Sequence, residues 1–86
     1  MEQASLPQQI IGLLTPALHE CDPHAQVQVR RAAFGWISLR VITDSFEDQS
    51  LIDRERHIDA LLAQKEMNLG SYPFNNYELL TPAEFA

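Results

Sequence analysis

Three side chains with metal-ligand chemistry, His19, Cys21 and His24, fall within one short stretch. Imidazole and thiolate both suit zinc, but His-x-Cys-x-x-His is no recognised zinc spacing and no fourth ligand follows. A helix end that favours positive charge accounts for His19, and a small, partly buried side chain accounts for Cys21, without a metal. His57 could act as a general base. No Ser or Cys is arranged as its nucleophile, and the helix position beside Asp53 and Glu55 reads as exposed. Arg54 and Arg56 could meet an acidic partner, or pair with carboxylates of their own helix such as Asp53, Glu55 or Asp59. The chain has three glycines, and none forms the Gly-x-x-Gly that clamps nucleotides.

The bulk numbers narrow the classes. Eighty-six residues make a single domain, residues 1–86. A net charge of −6, with only six basic residues, disfavours a protein whose main task is gripping nucleic acid. Cys21 is alone, so no disulfide can form within the chain, which suits a reducing compartment. No apolar run approaches the ~18–20 residues of a membrane span. Glu2 and the lack of a basic n-region argue against a signal peptide. The expected location is the cytoplasm.

These residues need elements to place them. Ser5, Pro7 and Gln8 read as a helix start, and Ile10, Ile11, Leu14, Ala17 and Leu18 recur at helical spacing. Pro16 predicts a kink or break near Thr15, with the last turn running to about Glu20 before Asp22-Pro23. Val27 and Val29 alternate with polar residues in a first strand, and Trp36–Thr43 forms a second, joined by a short link with Gly35 at any positive φ. Ser50 caps a second helix whose inward stripe is Leu51, Ile58, Leu61 and Leu62, helped by Ile52. Asn68 or Gly70 is expected to stop it. Residues 71–76 begin as loop, Tyr77–Leu80 is a short strand, and Thr81 caps a last turn that starts with Pro82. Phe85 is expected to fold back onto the sheet. The order α-β-β-α-β-α implies an α/β (α+β) domain: a three-stranded mixed sheet with helices on one face. Trp36 and the aromatics of the 72–77 segment read either as partner anchors or as core cover.

Two signatures stand in order along this frame. The first is the turn and helix Thr43-Asp44-Ser45-Phe46-Glu47-Asp48-Gln49-Ser50-Leu51, continued by Arg54-Glu55-Arg56. The second is the ending Thr81-Pro82-Ala83-Glu84-Phe85. Together they resemble the BolA-like family, a relative of the K-homology fold, over about residues 6–85. The resemblance implies a non-enzymatic binding or adaptor protein. It also implies a monothiol glutaredoxin as partner, a [2Fe–2S] cluster shared with it, and a role in iron–sulfur or redox homeostasis. Carried over residue by residue, Phe46, Ser50, Leu51, Arg54 and Arg56 match its turn and helix, and Thr81, Pro82, Glu84 and Phe85 its ending; the partner-binding set expected on this helix and turn is Phe46, Ser50, Arg54, Glu55, Arg56 and His57. Asp48 stands in place of a glycine, Glu55 in place of the helix histidine, Phe85 in place of Trp, and Pro73 near a usual His-Ala pair. A carboxylate is a poor ligand for a cluster iron, and His57 lies about 200° round the helix from residue 55. No cofactor is therefore expected, and Cys21 and His57 remain as metal candidates beside the His19 and His24 group. Homodimerisation is left open. Some members of the family regulate transcription, so nucleic-acid binding through the second helix is the alternative. A small hydrolase or transferase is a further rival, resting only on His57 and scattered carboxylates.

Overall fold

Alternation in the two hairpin strands decides the architecture. Ile37, Leu39 and Val41 on one strand meet Val27 and Val29 on its neighbour, and all five side chains fall on one face of the sheet. That face must be covered, and two helices cover it. A computed structural model of the chain describes residues 6–67, 69 and 74–86. Its elements are α1 (Leu6–His19), β1 (Gln26–Arg31), β2 (Ile37–Ile42), α2 (Leu51–Leu62), β3 (Phe74–Leu80) and α3 (Pro82–Phe85). Short 3₁₀ turns lie at Ala33–Gly35, Asp44–Phe46 and Ala63–Lys65. β1 pairs antiparallel with β2, and β2 pairs parallel with β3, in the order β1-β2-β3. The expected α+β domain with a three-stranded mixed sheet is what the chain forms.

The core joins Ile10, Leu14 and Leu18 of α1 and Ile58 and Leu62 of α2 to Leu39, Val41 and Leu79 of the sheet. Phe46, from the turn before α2, is wholly buried in the same cluster. The opposite face of the sheet is polar. Cross-strand rows of Gln28, Arg40, Glu78 and of Arg30, Ser38, Asn76 run across it. α1 and α2 share one face, but α3 departs from the one-face expectation. It brings the Phe85 ring beneath the Arg40 guanidinium, 5.2 Å from the ring centre, on the polar side. A cation–π contact there covers an otherwise bare sheet face.

Several expectations need correction. α1 runs through Pro16 with no break, although its last turn ends at His19, about where expected. Pro16 lies on its exposed side, so the lost backbone bond faces water. α2 ends at Leu62, not near residue 68 or 70. The chain tightens into a 3₁₀ turn and then reverses at Glu66, in the left-handed region with φ 58°. β3 starts at Phe74, three residues before Tyr77, because a bulge at Asn75 keeps it in register with β2. The inward stripe of α2 holds for Ile58 and Leu62, with Leu61 half-buried, but fails for Leu51 and Ile52, which are 58% and 60% exposed. Phe46, from the turn just before the helix, is wholly buried instead. The cap expected from Ser5, the stops at Asn68 and Gly70, and Tyr72 and Pro73 of the aromatic run lie outside the described residues.

Among the described residues, left-handed backbone occurs only in turns. Gly35 has φ 78°, as expected, but Phe34 beside it has φ 62°. A bulky side chain in that region costs roughly 1–2 kcal/mol. Asp48 adopts φ 63° at the place where the resemblance puts a glycine, and Asp tolerates this region better than most residues.

Candidate functional site

The segment from Thr43 to Arg56 is positioned from three sides. From below, Asp22 reaches across from the α1–β1 turn. Its carboxylate accepts from the Thr43 hydroxyl at 2.8 Å, from the Asp44 backbone N–H at 3.0 Å and from the His24 N–H at 3.0 Å. Asp22 is 6% exposed. The Thr43 hydroxyl, with those two N–H groups, holds its carboxyl below the usual carboxylate range. Thr43 is fully buried; its N–H donates to the Leu80 carbonyl, and its hydroxyl oxygen also accepts from Ser45 N–H. One buried carboxylate and one buried hydroxyl thus join the first turn, the sheet and the start of the site. In the sequence, Asp22-Pro23 marks only a helix stop. Nothing local in Cys21-Asp22-Pro23 signals a partner twenty residues away.

From the C-terminal side, Arg54 is the hub. Its Nε donates to the Gln49 carbonyl at 3.1 Å and its Nη1 to the Leu79 carbonyl at 2.9 Å. Nη1 and Nη2 form a fork with the two Glu84 carboxylate oxygens, at 2.6 and 3.3 Å. The guanidinium lies 5.7 Å from the centre of the Phe46 ring, and the side chain is only 12% exposed. Glu84 also closes a capping box with Thr81, so α3 starts where the arginine needs a carboxylate. The Arg54 fork is the chief reason the Glu84 carboxyl is pushed down to about 2. Arg54 therefore pairs across the fold, not with Asp53, Glu55 or Asp59 of its own helix.

Along α2 itself, the Ser50 hydroxyl accepts from Asp53 N–H and caps the helix as expected. Glu55 accepts from the Tyr77 hydroxyl at 2.9 Å, tying α2 to β3 and raising the phenol's pKa. The Asp59 carboxylate accepts from Leu69 N–H. His57 sets its ring edge-on to Phe46, with centroids 6.0 Å apart. Of the six residues marked as partner-binding, Phe46 offers no surface, since it is 0% exposed. Ser50, Arg54 and Glu55 have partners inside the chain, His57 packs on Phe46, and Arg56 projects into solvent. The turn of α2 that carries them instead presents Leu51 and Ile52. Ile52 and Arg56 share one line of the helix, four residues apart.

The metal candidates are not brought together. His19 Nε2 lies 2.9 Å from the Ala25 carbonyl, Cys21 is exposed, and among the described residues no three His, Cys, Asp or Glu side chains converge on one point. At the place where the resemblance puts the cluster ligand, the Glu55 carboxylate accepts from Tyr77, and the neighbouring His57 ring lies edge-on to Phe46.

No protein-family model matches the chain, and no curated protein matches it. Among the described residues, no helix is long and apolar enough to cross a membrane.

Proposed function

We propose that the chain is a non-enzymatic adaptor that docks a protein partner on the outward surface of the first turns of α2. The observation that carries this reading is the exposure of Leu51 and Ile52, 58% and 60%, beside Arg56. Two large aliphatic side chains in water are a poor use of a small chain's apolar residues unless something covers them. Their base is held rigid by Ser50, Arg54 and Glu55, so little ordering is left to be done on binding. The polar groups whose titration is most displaced, Asp22, Tyr77 and Glu84, are each tied into a bond that fastens one element to another. That use favours a scaffold over an enzyme. The resemblance to BolA-like proteins makes a monothiol glutaredoxin the partner class to try first, and the cytoplasm the place, where the exposed lone Cys21 would stay reduced.

The nucleic-acid alternative is weakened at its own residues. Arg54 is committed to Glu84, which leaves Arg56 as the free cation of the helix motif in a chain of net charge −6. To test the docking reading, the chain is mixed with a monothiol glutaredoxin and run on a sizing column with light scattering. A one-to-one complex lost on Ile52→Asp is expected. Two separate peaks at every concentration tried would end the glutaredoxin version.

A further inference from the structure

We propose a second docking surface at the β1–β2 turn, separate from the α2 face, that takes a peptide segment carrying a large apolar residue next to a carboxylate. A hollow of about 280 Å³ opens between the start of α1 and this turn. Leu6, Pro7, Ala32, Trp36 and Ile37 line it, with Arg31 among them. An apolar cavity of roughly 150 Å³ takes a benzene ring, so the hollow has room for a Phe, Leu or Met side chain with part of its backbone. Arg31 supplies the charge. It is exposed, and the ion pairs among the described residues, Arg40 with Glu78 and Arg54 with Glu84, do not include it. Arg30, its neighbour on the other sheet face, is exposed and outside those pairs too. In a chain of net charge −6, an arginine left to solvent on the wall of the hollow makes it complementary to an acidic segment, with Arg30 adding positive potential from the opposite sheet face.

Phe34 adds an independent sign. It is 97% exposed and sits on left-handed backbone at the tip of the same turn. Both features are unfavourable in the free chain, and strained turns of this kind concentrate at binding sites. The same turn lends Ala32, Gly35 and Trp36 to the hollow, so a peptide seated there would lie beside the exposed ring. An anionic bilayer suits the site less well, since one Phe and two Arg would have to hold a body carrying excess negative charge near a negative surface. A second copy suits it less well too, because a two-fold contact at this turn would set Arg30 and Arg31 against their own equivalents.

The test presents the whole immobilised chain to a random-peptide display library. Enriched peptides are then synthesised and titrated while the emission of Trp36, the single tryptophan, is followed. The enriched sequences are expected to place Asp or Glu within two positions of Leu, Ile, Met or Phe, and binding should shift the Trp36 emission. Ala32→Leu, which fills the hollow, and Arg31→Glu should each weaken binding about tenfold or more. Added salt should weaken peptide binding by the parent chain, and Ile52→Asp should leave the affinity for these peptides as it was, which separates this surface from the α2 face. Should Ala32→Leu fail to fold, the exposed Arg31→Glu decides alone. No enrichment, a different pattern, or peptides indifferent to Arg31→Glu would overturn the proposal. So would self-association abolished by Phe34→Ser, or tighter binding to phosphatidylserine vesicles than to any peptide.

Discussion

Arg54 shows how much one side chain can hold. It links the loop before α2, the end of β3 and the start of α3, and its partner Glu84 titrates near 2, below the ordinary value of about 4.3. A carboxylate whose folded pKa is depressed stabilises the fold fully above its unfolded pKa, and that contribution is lost as pH falls toward the folded value. Denaturant melts between pH 2 and 5 should therefore show stability rising with pH, and Glu84→Gln should flatten that part of the profile. Asp22, depressed in the same direction, adds to the slope, so Asp22→Asn should flatten it further. Tyr77 works with the opposite sign. Its raised pKa means the neutral phenol is favoured in the fold, so stability falls as pH climbs past about 10, and Tyr77→Phe removes that alkaline loss. At the hairpin tip, Phe34→Gly relieves a left-handed aromatic and should raise stability by roughly 1 kcal/mol in equilibrium unfolding. It should do so while weakening any ligand held at that turn.

At the scale of elements, the helices carry both their support and their faults visibly. Ile58 of α2 is 0% exposed in the core, so Ile58→Ala should cost about 2–5 kcal/mol. α1 holds two poor helix residues on its solvent side, Gly12 and Pro16. A Cβ added at Gly12 would meet no atom within 4 Å. Gly12→Ala should therefore add about 0.5–1 kcal/mol of stability, read as a raised melting temperature. The elements themselves were legible where local chemistry is strong: Val27 and Val29 alternating, Ser50 at a cap, Thr81-Pro82 opening a final turn. Their ends were less so. α2 ends at Leu62 and the chain reverses at Glu66 through a left-handed turn that no Gly or Asn announces, and β3 begins early because Asn75 is a bulge, which depends on register with a strand thirty-odd residues away. Leu51 and Ile52 fit the helical stripe by spacing, yet they stay exposed while Phe46 of the preceding turn is buried. Periodicity within one helix does not say which end of it meets the core.

At the scale of the whole molecule, the fold is two helices on one face of a small mixed sheet, with a short third helix fastening the far edge. Its class could be read from element order alone, since a hairpin followed by a helix and a strand has few ways to close. The long-range polar contacts could not, because Asp22 to Thr43 and Arg54 to Glu84 join residues that look unrelated along the chain. These contacts hold the turn before α2 rigid and leave two surfaces presented: the aliphatic start of α2 and the aromatic tip of the first hairpin. The most direct test of the adaptor reading is a backbone chemical-shift map of the labelled chain, titrated with a monothiol glutaredoxin. Docking on α2 predicts the largest shifts at Leu51, Ile52, Glu55 and Arg56, with the polar sheet face around Gln28 and Ser38 unchanged. Shifts centred on that sheet face, or none at saturating partner, would contradict it.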